Sequence, residues 1–149
     1  MARDWHRLWF TVAALVVGAG GPVFFLGAAG VSEMARLTLD LLSWPVDGNM
    51  SYRDPTVRFL SALTGGFLIG WGVTIWCLGR YVYPIAPKAA RQTVLYGLLS
   101  WFALDSAGSA LSGNASNVLF NIAVLLTAVG PLWKAGAAER QSRANQVAD

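Results

Sequence analysis

The stretch "WFALDSAGSALSGNASNVLFN" at residues 101–121 decides how this chain is read. It holds the end of one apolar segment, a short polar turn around Gly113 and the start of another apolar segment, with Asp105 inside the first. A carboxylate in an apolar span is costly, so Asp105 needs either partners or a use. Counting outward from Gly113, residues at equal distance lie at similar depth in an antiparallel helical hairpin. Asp105 then stands level with Asn121 and Ser109 with Asn117, and the polar residues of each helix, four apart, share a face. The spacing predicts a two-step polar ladder between two membrane helices.

The composition agrees with that setting. Of 149 residues, 55% are hydrophobic and 13% charged, with a mean hydropathy of +0.49; an ordinary soluble domain carries roughly 25% charged residues. Four stretches, residues 8–29, 57–78, 92–111 and 115–133, are long enough for a hydrocarbon core that takes roughly 20 residues of helix. The expected fold is therefore all-α: a polytopic membrane protein with a four-transmembrane-helix bundle over residues 1–136. Residues 137–149, rich in Ser, Asn, Gln and Arg, read as a solvated, disordered cytoplasmic tail. The first apolar run is longer than a signal peptide's core and reads as an uncleaved helix.

Eight of the eleven basic residues fall where alternate connections share one side: Arg3, Arg7, Arg80, Lys88, Arg91, Lys134, Arg140 and Arg143. The positive-inside rule places both termini and the middle connection in the cytoplasm, with Trp5, Trp9, Trp76 and Trp133 at that interface and Trp44 at the other. Topology alone accounts for the basic balance. No basic stripe with interleaved aromatics points to nucleic acid.

The first outward loop has its own pattern. Met34, Leu37, Leu41 and Trp44 recur at helical spacing, with Glu33, Arg36 and Asp40 on another face, Ser32 as N-cap and Trp44-Pro45 as stop. This predicts an amphipathic helix, lying at the outer surface or covering the mouth of the bundle as a lid. Two glycosylation sequons, at Asn49 and Asn114, are short matches of little weight.

Conventional catalytic equipment is sparse. Cys77 is the single cysteine and His6 the single histidine, which leaves no paired-thiol relay, no Ser-His-Asp set and no metal or cofactor site to name; His6 reads as a solvated interface residue. The small residues belong to helix packing: Gly18, Gly21 and Pro22 on the first span, with a kink at the proline, and Ala62, Gly66 and Gly70, four apart, on the second. Gly21-Pro22 and Thr64-Gly65 also fall at the depth of Asp105. All four helices are thus small, broken or polar at one level, which suggests a narrow outward-facing cavity with Asp105 on its wall and Arg58 reaching toward it. Asp105, Ser109, Asn117, Asn121 and Arg58 are the candidate ligand or proton site; the same residues equally serve to fix helix register.

The segments "RFLSALTGGFLIGWGVTIWCL" (58–78), "LDSAGSALSGNASNVLFN" and "GPLW" resemble small uncharacterised bacterial four-helix membrane proteins, loosely similar to the DoxX-like family. The resemblance covers about 90 residues and implies a four-helix architecture in a bacterial inner membrane, with no activity attached. The expectation is a non-enzymatic accessory or assembly component whose partners are the lipid bilayer and another membrane protein or a second copy. The alternative is a small transporter or ligand-binding protein using the Asp105 cavity.

Overall fold

A computed structural model describes residues 5–30, 32–135 and 140; the expected tail, residues 137–149, lies outside them apart from Arg140. The described chain is all-helical. Helices α1 (Trp5–Gly18) and α2 (Gly20–Ala28) form the first span, broken at Ala19 just ahead of Pro22, where proline leaves the carbonyl four residues back without its donor. An amphipathic helix α3 (Glu33–Leu42) follows, then α4 (Pro55–Cys77) with a π-helical turn (Leu78–Val82), α5 (Pro87–Leu111), and α6 (Ala115–Val129) closed by a 3₁₀ turn (Gly130–Trp133). Four segments are long and apolar enough to cross a membrane: Trp5–Ala28, Pro55–Val82, Pro87–Leu111 and Ala115–Trp133. The second and third run past the expected limits at 78 and 92 because the helices continue through Arg80, Lys88 and Arg91 into the polar boundary.

Local signals explain the boundaries. Asp54 Oδ1 accepts from Thr56 N–H at 2.6 Å and Pro55 opens α4, the preferred pairing at a helix start. Ser32 Oγ accepts from Ala35 N–H at 3.2 Å and caps α3. At the hairpin turn Gly113 has φ +80; its N–H donates to Ala110 O at 3.1 Å and Asn114 N–H to Ser109 O at 2.8 Å, the paired bonds of a Schellman closure.

The first span is central. It packs on α4 along one side, α1 meets α6 on another, α5 lies against α6, and α3 bridges α2 and α6. The tightest packing uses glycine. A Cβ on Gly65 would stand 2.8 Å from Gly21 O, and one on Gly72 2.8 Å from Ala14 O and 3.0 Å from Gly18 Cα. Backbones approach this closely only where side chains are absent. Gly18 and Gly21 therefore sit in the seam, but opposite Gly65 and Gly72. Ala62, Gly66 and Gly70 are exposed, and nothing lies within 4 Å of a Cβ on Gly66 or Gly70. The four-residue repeat singled out in the sequence is the neighbouring face of α4, turned outward.

The core concentrates toward the end that carries Trp5, where Phe10, Val17, Ile75, Tyr83, Leu98 and Leu132 are buried together. Phe10 packs on Tyr83 at 5.2 Å between ring centroids and fills the space beside Gly79 in the π turn. His6 is half-buried, 6.3 Å from the Tyr83 ring and stacked on it, and donates to Lys134 O at 2.9 Å. It ties the start of the first span to the end of the last. Arg91 is buried and donates to Leu132 O at 3.1 Å, satisfying a carbonyl left open at the end of the last span.

Candidate functional site

The hairpin turn sets the register of α5 against α6 and so builds the polar cluster. Asn121 Nδ2 donates to Asp105 Oδ2 at 2.8 Å, and Asn117 Nδ2 donates to Ser109 Oγ at 2.7 Å and to Asp105 Oδ2 at 3.4 Å. Ser106, which counting from the turn does not single out, joins from the adjacent position of α5, accepting from Asn121 Nδ2 at 3.3 Å. Asn121 is 1% exposed and Ser109 is buried, whereas Asp105, Ser106 and Asn117 are half-buried. Two carboxamides on successive turns of α6 thus converge on one oxygen of the Asp105 carboxyl group. Asp105 Oδ1 accepts from none of the described residues.

Arg58 is not part of this cluster. Its Nε donates to Ala28 O at 2.8 Å, where the last carbonyls of α2 need donors. The ion pair among the described residues is Arg36–Glu33 at 2.6 Å. The expected wall of the outward cavity is also altered: at the depth of Asp105, Gly21 and Gly65 bring their helices into contact and close the space. A cavity of about 110 Å³ lies instead beneath α3, lined by residues including Gly20, Phe24, Leu68, Trp71, Trp101 and Phe120 and roofed by Thr38 and Leu42. Its walls are apolar and Asp105 is not among them.

Helix α3 is turned in a way its periodicity does not convey. Ala35 and Asp40 are buried, while Met34 (67%), Leu37, Leu41 and Trp44 are exposed. The apolar stripe faces away from the bundle, and the helix packs through its small and mixed face. Glu33, Arg36 and Asp40 share one face, and Asp40 is buried there because the loop covers it: Asp40 accepts from Gly48 N–H at 2.9 Å, while Arg36 Nη1 donates to Gly48 O at 2.9 Å. The Asp47-Gly48 turn is thereby clamped onto α3. Trp44 N–H donates to Asn114 Oδ1 at 3.1 Å, and Tyr52, lying against Gly27, is 3.1 Å from Ser61 Oγ, so the loop is fastened to three helices. Outside the spans, the Arg36 hydrogen bond lowers the Glu33 pKa, and backbone N–H bonds from Asn49 and Thr56 lower those of Asp47 and Asp54.

Among the described residues, no three His, Cys, Asp or Glu side chains come together as a metal site. No family model, curated protein or solved structure matches the chain.

Proposed function

We propose that this chain is a non-enzymatic accessory or assembly component of a bacterial inner membrane, with both termini and the α4–α5 connection in the cytoplasm. The observation that supports the reading is the closure of the intramembrane polar groups on one another: Asn117 and Asn121 are bonded to Asp105, Ser106 and Ser109 within a single hairpin. Interhelical polar contacts of this kind average about 0.6 kcal/mol and reach about 1.7. That is enough to choose one register among apolar alternatives, and it makes the hairpin a fixed element for a partner in the bilayer to meet.

The test replaces the carboxyl group and keeps the shape. With Asp105→Asn, the protein is expected to fold and to remain, in mild detergent, in the same larger complex as the parent chain. Ion- or ligand-dependent uptake by proteoliposomes that disappears in Asp105→Asn while the fold persists refutes the reading. A second reading, a small ligand-binding or transport protein, rests on Asp105 Oδ1, the oxygen without a donor on a half-buried side chain; that uptake result is the outcome it requires.

A further inference from the structure

A continuous furrow runs up the seam between α1–α2 and α4, and no residue of the α5–α6 hairpin is among those that line it. Its floor at the Trp5 end is a recess of about 260 Å³ lined by Arg7, Leu8, Thr11, Trp76, Gly79 and Arg80. Thr11 and Trp76 also begin an apolar groove of about 470 Å³ that passes Leu15, Gly18 and Val73 and ends at Pro22 and Ile69. On the first span the lining recurs every three or four residues from Arg7 to Pro22, and on α4 and its π turn from Ile69 to Arg80, so each helix gives one unbroken face. Gly18 and Gly72, packed backbone against backbone, are among the residues that line the groove.

The two ends differ in chemistry. Arg7 and Arg80 are exposed and unpaired with any carboxylate among the described residues; Arg80 lies over the Tyr81 ring at 5.7 Å. The π turn places Arg80 beside Gly79, where Phe10 occupies the space a side chain would fill, and Arg7 and Arg80 line the same recess, one from each helix. The apolar part, Thr11 to Pro22, rises roughly 16 Å at 1.5 Å per residue, close to the ~15 Å of one leaflet of a hydrocarbon core about 30 Å thick. Trp76 joins the two parts, at the level where indoles meet the membrane boundary.

We propose that this furrow is a binding site for one anionic phospholipid of the surrounding bilayer, its phosphate held between Arg7 and Arg80 and one acyl chain laid along Thr11, Leu15, Gly18 and Val73. Charge complementarity chooses an anionic headgroup, because basic recesses between spanning helices attract such lipids. The length of the apolar groove chooses a membrane lipid over a free phosphate. The site stands independently of the Asp105 cluster and of the function proposed above.

The test is lipid retention. The full chain is placed in nanodiscs of phosphatidylglycerol and phosphatidylcholine mixed equally, extracted into mild detergent, and its retained lipid measured by native mass spectrometry. Phosphatidylglycerol is expected to be retained roughly thirtyfold over phosphatidylcholine, the scale of two arginines at a membrane surface. Arg7→Gln with Arg80→Gln is expected to abolish the preference, whereas Lys88→Gln with Lys134→Gln, an equal loss of charge, leaves it. Val73→Trp, which fills the groove, is expected to lower retention with the arginines intact. Equal retention of the two lipids by the parent chain, equal loss in both charge pairs, or full displacement by inorganic phosphate would each overturn the proposal.

Discussion

Gly65 and Gly66 are adjacent, chemically identical and both inside α4, yet alanine at the two positions is expected to move stability in opposite directions. At Gly66 a new Cβ meets nothing within 4 Å, so the substitution registers only the helix preference of alanine over glycine, about 0.8–1.0 kcal/mol in favour. At Gly65 the same gain is opposed by contacts of 2.8 Å with Gly21 O and 3.0 Å with Phe25 N. Non-bonded atoms settle at about 3.5–4.0 Å, so the helices must part by roughly half an ångström or more along backbone that has no rotamer to yield. Overpacking of this kind costs about 1–3 kcal/mol. The preference term is common to both variants and cancels, leaving Gly65→Ala less stable than Gly66→Ala by roughly 1–3 kcal/mol. Reversible denaturation in a fixed detergent, followed by tryptophan fluorescence, reads that difference. Equal shifts, or the larger loss at Gly66, would refute the seam drawn through Gly21, Gly65 and Gly72.

Gly130 has φ +37, and a Cβ there would overlap the Trp9 indole; Gly130→Ala is expected to cost roughly 2–4 kcal/mol, and Trp9→Ala in the same chain to return part of it in the same denaturation assay. The loop around α3 is expected to loosen in acid. Asp47 and Asp54 lie below their ordinary 3.8 and Glu33 below 4.5 because each accepts a hydrogen bond in the folded chain. Their contribution is complete above those ordinary values and is lost as pH falls through the lowered folded ones. Amide exchange in the loop, corrected for its intrinsic pH dependence, should keep its protection above pH 4.5 and lose it progressively as pH falls below 4.5 and then 3.8; unchanged or rising protection contradicts the assigned bonds.

Much of the architecture was legible because a hydrocarbon core imposes length and polarity on each span, and because Gly113 fixes where the hairpin turns. From the turn, the depths of Asp105, Ser109, Asn117 and Asn121 follow by counting. The face of α4 that packs was not legible. Lipid tails are as apolar as a neighbouring helix, so hydropathy cannot distinguish Gly65 and Gly72 from Gly66 and Gly70; only the partner backbone does. The same limit applies to Arg58, which was read from its own helix, whereas an open carbonyl at the end of α2 determines where it points. Asp40 keeps the face read for it, but the Gly48 turn that covers that face was not legible.

The hairpin also bears on biosynthesis. Its first arm, α5, is the least apolar of the four spans, with mean hydropathy 1.2 against 1.7 for the arm that follows and 1.9 for the first span. It carries Asp105, while the amides that meet that carboxylate belong to α6. Released into lipid alone, α5 would present an unmatched carboxylate to the acyl chains; released together with α6, it presents one already bonded. The three residues between the arms, Ser112, Gly113 and Asn114, leave little room for separate entry, so the α5–α6 pair is the natural unit of insertion and Asn121 the last donor its synthesis must deliver.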